Sequence, residues 1–308
     1  MRNESAAAQA QQHIRAALDR IGPRWAQDIG RHSQEVKELY APVLLAQPRE
    51  GIRVCRDLAY GDDPRQVLDV FAPRGAAGAD VVVFVHGGAF VRGDKSAPEG
   101  VYDNVLLWFA RQGFVGVNVE YRPAPRAAYP QGALDVAAAL EWVARNIEGH
   151  GGDARRILLI GHSAGGTHVA SYAMDPALPL TGCRARALVL VSARLKADVL
   201  PVNPNAHGVR AYFGEDASLY EARSPLTHAQ RCPVPAMVVI AQYENPLLDL
   251  YGLAFAEALA ARDGAAPRVV QCEGHNHMSV VAQFDTGAPD AQALGREILQ
   301  FWRGRVAD

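Results

Sequence analysis

Short apolar runs recur along the chain at Val81–Val85, Val115–Val119, Arg156–Ile160, Ala187–Val191 and Ala236–Ile240. Each is rich in β-branched residues and apolar at both alternating positions. A strand with one wet face would alternate, so these runs predict parallel strands covered by helices on both sides. Between them, Leu134, Ala137, Leu140, Val143 and Ile147 recur at steps of three and four, and Leu253, Ala256, Leu259 and Ala260 repeat the pattern. Such spacing predicts helices that lay one apolar stripe on a sheet. Strands alternating with helices imply crossover units and a mostly parallel sheet. Arg53–Ala59 and Gln66–Phe71, joined by a Gly61-Asp-Asp-Pro64 turn, predict an earlier antiparallel pair, and Arg268–Gln271 predicts a last strand.

Two regions stand outside this alternation. Residues 1–50 read as helical in parts, with Trp25, Leu39 and Tyr40 as anchors. The stretch 193–232 is rich in Pro, Asn and Gly, and segments of that length form lids or carry short elements of their own. A length of 308 residues gives a soft expectation of about two domains, but one continuous alternation favours a single large one. The expected organisation is an N-terminal helical cap segment, 1–50, followed by one α/β catalytic domain, 51–308, whose insert 193–232 adds to a small cap.

Composition narrows the class. With 49% hydrophobic and 21% charged residues the chain reads as an ordinary globular protein. A net charge of -2 with no long basic run gives a nucleic-acid partner no electrostatic support. The apolar runs are far too short to span a bilayer, so no membrane partner is expected. Residues 1–20 carry charges throughout and lack the apolar core of a signal peptide. Cys55, Cys183, Cys232 and Cys272 are widely spaced, which argues against a zinc site or a disulfide scaffold and for reduced thiols in a cytoplasmic protein.

The sharpest local signal is Gly161-His-Ser-Ala-Gly165, with an apolar strand before it and a helix-compatible stretch, Thr167–Met174, after it. A nucleophile elbow needs that strand-turn-helix setting, and its bend projects the Ser163 hydroxyl above the sheet. A bare Gly-rich strand-helix turn is the bland alternative. The second signal is His86-Gly-Gly-Ala-Phe90, directly after the Val81–Val85 strand. Small residues let backbone amides approach a substrate carbonyl, and aimed amides hold an oxyanion without reorganising. Gly88, Ala89 and Ala164 are the expected donors. His86 is expected to shape the loop by hydrogen bonding.

Together with Glu120-Tyr-Arg-Pro-Ala-Pro125 and Tyr129-Pro130, these motifs resemble the hormone-sensitive-lipase-like esterases of the α/β-hydrolase fold, over about residues 50–303. Ala89 stands where many relatives carry a third glycine, which leaves the amide in place. The resemblance implies a catalytic triad in chain order serine, acid, histidine. Glu244 lies nearest the end of the Ala236–Ile240 strand and is the preferred acid, with Asp249 as the alternative. His277 is the preferred base, with His275 as the alternative. His162 is expected to point away from the hydroxyl, and His168 to be a packing or solvated residue.

That machinery needs no metal and no organic cofactor, and its partner is a small-molecule ester. Tyr212, Phe213, Phe90 and Trp25 are candidates for an apolar acyl pocket, and short to medium acyl chains are expected. Ala241-Gln-Tyr-Glu-Asn-Pro246 and Asn276-His277 are also similar to stretches of kynurenine formamidases, which hydrolyse an N-formyl amide. A non-catalytic binding protein on the same fold is the reading from another class. A homodimer is compatible with the sequence.

Overall fold

The computed structural model describes residues 2–180, 182–288 and 292–306. Among the described residues eight strands form one sheet: β1 (Ile52–Ala59), β2 (Val67–Pro73), β3 (Ala79–Val85), β4 (Val115–Val119), β5 (Gly152–His162), β6 (Ala187–Val191), β7 (Ala236–Tyr243) and β8 (Arg268–Asn276). Their spatial order is β1-β2-β4-β3-β5-β6-β7-β8. β1, β2 and β4 pair antiparallel, and every pairing from β4 through β8 is parallel. The apolar runs and the early antiparallel pair therefore lie where the pattern places them. β5 starts earlier than its apolar run because Gly152–Arg155 extend it, and β8 continues past Gln271 to Asn276.

The alternation of side chains divides the core in two. Val82, Phe84, Leu158, Ile160, Val189, Met237 and Val239 point to one face, and Val81, Val83, Leu159, Leu188, Leu190, Val238 and Ile240 to the other. The first face is covered by α1 (Arg2–Ile21), α2 (Ile29–Leu45), α3 (Asp103–Arg111), and the C-terminal α9 (Ser279–Ala282) and α10 (Ala293–Val306). The second is covered by α4 (Gln131–Asn146), α5 (Ala164–Met174) and α8 (Leu248–Asp263). Ile14, Leu18, Trp25, Val36 and Tyr40 of the N-terminal segment are buried in the same cluster as the strands. The segment 193–232 carries α6 (Ala206–Phe213), α7 (Tyr220–Arg223) and short 3-10 turns, and packs an aromatic cluster over the C-terminal side of the sheet.

Two helical stripes differ from the expected ones. On α4 the buried line runs through Val136, Ala139, Leu140 and Val143, leaving Leu134 and Ala137 half-buried. On α8 it runs through Leu248, Gly252, Phe255, Ala256 and Leu259, while Leu253 faces outward. Phe255, the largest apolar side chain of α8, sets the face, and Leu253, two positions away, is rotated off it.

β3 and β5 lie side by side at the point where successive crossovers change direction, the usual place for a ligand crevice in an open α/β sheet. β5 turns into α5 through a bend that excludes side chains. A Cβ at Gly161 would lie 2.6 Å from Gly166 Cα, and one at Gly165 would lie 2.3 Å from the carbonyl oxygens of Val85 and His86. The chain at Gly165 thus rests directly on the end of β3. Gly165→Ala is expected to lower the urea-unfolding free energy by about 1–3 kcal/mol or more, because backbone cannot yield as a side chain can. An unchanged unfolding midpoint would contradict this packing.

Candidate active site

Ser163 occupies the bend with φ 56° and ψ -121°, a conformation that non-glycine residues rarely adopt. The Ser163 N–H donates to the Val191 carbonyl at 3.0 Å, which ties the bend to β6. His277 follows β8 in a turn held by Asn276, whose Oδ1 accepts from the Met278 and Ser279 amides at 3.1 and 2.9 Å. Glu244 follows β7 and accepts the Ala241 N–H at 2.9 Å through Oε1. Tyr243 and Asn276 are partners across the β7–β8 pairing, so the residues after them emerge together.

These elements bring three side chains into line. His277 Nε2 lies 2.9 Å from Ser163 Oγ, and His277 Nδ1 lies 2.8 Å from Glu244 Oε2. With Nδ1–H donated to the carboxylate, Nε2 is the bare nitrogen facing the hydroxyl. The His277 and Glu244 side chains are nearly inaccessible, at 6% and 3%, which keeps water from competing for the hydrogen bonds between them. Asp249 sits instead in the first turn of α8. His275 faces Ser279 Oγ at 3.1 Å, and burial lowers its pKa to about 4.

The His86–Phe90 loop lies across from Ser163, because Val85 and Gly161 are partners in the β3–β5 pairing. Among the described residues the Gly88 and Ala89 amides donate to no other backbone group. Ala164 begins α5, where the first helical N–H groups have no partner within the helix. The amides of all three expected donors therefore remain free of competing helical or loop bonds. Gly88, Ala89 and Ser163 line one open cleft of about 860 Å³.

What holds the loop is a buried ionic cluster that sequence reasoning did not find. His86 is fully buried, with Nδ1 2.7 Å from the Gly87 carbonyl and Nε2 3.0 Å from Glu120 Oε1. Glu120 also accepts the Lys95 N–H at 2.7 Å and pairs with Arg65, which in turn donates to the Gly93 carbonyl at 2.6 Å. Burial pushes the Glu120 carboxyl up, yet the bonds from His86 and Lys95 and the charge of Arg65 hold it below its ordinary value. Glu120 was visible within the Glu120-Tyr-Arg-Pro motif. Its partners, 25 to 55 residues away, carry no such signal.

The N-terminal segment reaches the acid. Trp25 Nε1 donates to Asn245 Oδ1 at 2.9 Å in a buried contact next to Glu244. Trp25, Phe90, Tyr212 and Phe213 do not line the cleft: each is at most 2% exposed, and Phe90 stacks on Tyr212 while Phe213 meets both edge-on in the core. The cleft is walled instead by a mixture of polar groups such as Gln27, Lys37, Asn205 and His207 and apolar ones such as Ile29, Ala97 and Met278. His168 is buried with Phe90, Tyr121 and Tyr212 around it.

The backbone superposes on solved esterases over nearly the whole chain. The chain has the α/β-hydrolase fold. The structure of esterase B from Lactobacillus rhamnosis inhibited by a tributyrin phosphonate superposes with a TM-score of 0.72 at 20% identity, covering 94% of this chain and 95% of that one. An esterase from Pyrobaculum calidifontis gives 0.71 at 23% identity, covering 94% and 97%. A family model described as BD-FAE matches residues 68–175, the stretch that contains both the His86 loop and the elbow. In sequence the chain is similar to the Mycobacterium tuberculosis proteins Esterase LipC, 41% identical over 38% of this chain and 29% of that one, and Esterase LipI, 32% identical over 67% and 65%. The chain spans less than a third of the length of the first relatives it matches. It thus resembles the hormone-sensitive-lipase-like esterases on this α/β-hydrolase framework. Among the described residues no helix is long and apolar enough to cross a membrane.

Three histidines near the site, His162 and His168 buried and His275 half-buried, are expected to make the fold sensitive to acid. Burial lowers the pKa of His168 to about 3 and of His275 to about 4, and burial with the nearby His277 lowers that of His162 far below its ordinary value. Each takes up a proton in the unfolded chain near pH 6.5 but in the folded chain only at lower pH. Stability is therefore full above about pH 6.5 and falls as the pH drops from there toward 4, by up to about 1.4 kcal/mol per pH unit for each histidine. Urea midpoints measured between those limits should fall steadily, and a flat profile would contradict the burial of these rings.

Proposed function

We propose that this chain is a serine hydrolase that cleaves carboxylic esters of short to medium acyl chain through an acyl-enzyme intermediate. The observation that carries the reading is the unbroken line from Glu244 through His277 to Ser163, at 2.8 and 2.9 Å, beside the amides of the His86–Phe90 loop. His277 Nε2 takes the Ser163 proton as Oγ bonds to the substrate carbonyl carbon. The carbonyl oxygen becomes an oxyanion held by the Gly88, Ala89 and Ala164 amides. His277 then gives its proton to the departing alkoxide, so that alcohol leaves and the acyl group stays on Ser163. A water molecule, deprotonated by His277, attacks the acyl carbon and releases the carboxylic acid and the free serine. Glu244 stabilises the imidazolium that forms in both halves.

The relatives named as esterases support ester substrates. The burial of the aromatic candidates, which leaves the cleft without a large apolar pocket built from them, supports the short end of the acyl range. For the compartment, the four unpaired cysteines support a cytoplasmic chain. A homodimer is proposed as its assembly, for which light scattering should read twice the 33.2 kDa of one chain, and a single-chain mass overturns it.

Purified protein should turn over p-nitrophenyl acetate and butyrate faster than a long-chain ester and faster than N-formylkynurenine. Ser163→Ala should leave the fold intact and remove turnover, and Glu244→Gln should lower kcat by about 10,000-fold. A folded Ser163→Ala protein that keeps more than about a few per cent of the activity would sink the assignment.

A further inference from the structure

His162 is the elbow residue whose side chain the hydrolytic scheme leaves without a task, yet both of its ring nitrogens are engaged. It is 1% exposed. Nε2 lies 2.9 Å from the His277 carbonyl oxygen, which can only accept, so this nitrogen carries the hydrogen and donates. Nδ1 lies 3.2 Å from the Tyr102 hydroxyl and accepts from it. That hydroxyl lies beside Gly87, one residue before the oxyanion loop's Gly88: a Cβ at Gly87 would be 3.3 Å from it. The His277 N–H meanwhile donates to the Tyr243 carbonyl at 3.1 Å.

The base is therefore pinned through its own backbone on both sides. One peptide group is fastened to β7, which carries the acid, and the other to the elbow that carries the nucleophile. On its other side the ring meets Tyr102, whose hydroxyl lies beside Gly87 at the start of the loop that would hold the oxyanion. The two imidazole rings lie 4.9 Å apart at 39°. At that distance a second cation would oppose the imidazolium formed during reaction, and burial keeps His162 uncharged.

We propose that neutral His162 is a positioning residue: it holds His277 through the backbone carbonyl, in the tautomer which that carbonyl demands, with Tyr102 between the ring and the start of the oxyanion loop. The kinetic consequences rest on the esterase reading above, whereas the tautomer does not. A displaced base is costly because proton transfer tolerates little misalignment, and errors of about 1 Å can lower rates on the order of 100-fold.

Two measurements test it. In protein labelled with 15N at histidine, the imidazole spectrum of His162 should show hydrogen on Nε2 and a bare Nδ1 at neutral pH, and Tyr102→Phe should keep that tautomer while the Nδ1 resonance shifts as its hydrogen bond is lost. In steady-state assays on p-nitrophenyl butyrate, His162→Ala should lower kcat by about 10- to 100-fold while KM stays within about 2-fold, and labelling by a fluorophosphonate should slow by the same factor. His162→Gln, whose amide can still donate to the carbonyl, should recover part of the loss. A wild-type Nδ1–H tautomer overturns the proposal. So does a kcat in His162→Ala within about 2-fold of wild type, an effect confined to KM, or a Gln variant no better than Ala. Where His162→Ala fails to unfold cooperatively, the wild-type spectrum and Tyr102→Phe decide. Turnover that survives in Ser163→Ala would defeat the esterase reading instead, and the tautomer would still stand or fall on its own spectrum.

Discussion

The parallel pairing of β3 with β5 is the constraint on which the site depends. With Val85 opposite Gly161, the glycine-rich loop after one strand and the serine bend after the other leave the sheet at the same height and side by side. A shift of one residue would turn every side chain of a strand to the other face, so the two apolar core layers fix this register as firmly as they fix the fold. The contact between Gly165 and the end of β3 uses the same register, because only a residue without a Cβ can rest against the Val85 and His86 carbonyls. Reactive geometry and core packing are here one arrangement.

Around that frame, polar groups are spent on holding backbone in place. Glu120 collects His86, Arg65 and the Lys95 amide, and so fixes the loop that faces Ser163. Asn276 caps the turn that presents His277. Trp25 reaches from the N-terminal segment to Asn245, next to the acid. Buried hydrogen bonds of this kind are costly to disturb, because a group that loses its partner keeps its desolvation penalty. The N-terminal helices are thus part of the support of the site as well as of the core.

Much of this was legible in the sequence. The strands were visible because both faces are apolar, and the serine, its flanking glycines and the small-residue loop were visible because tight approach demands those residue types. Glu244 could be chosen over Asp249 by nearness to a strand end and His277 over His275 by nearness to the helix-compatible stretch 279–284, and the geometry gathers Glu244 and His277 at Ser163. The rest depended on relations between distant residues. No local pattern ties Arg65 to Glu120 or Tyr102 to His162. The α8 stripe misled because Leu253 matches a helical period while the larger Phe255 decides which face turns inward. The aromatic candidates for the pocket were equally good core residues, and the interior is where they lie.

The central claim is that a nucleophilic hydroxyl and a cradle of amides meet at the ends of β3 and β5. A crystal structure of the protein after reaction with an alkyl fluorophosphonate tests it most directly. The account predicts phosphorus bonded to Ser163 Oγ, with the phosphoryl oxygen about 3 Å from the amides of Gly88, Ala89 and Ala164. An unmodified Ser163, or an adduct whose phosphoryl oxygen faces away from those amides, would contradict it.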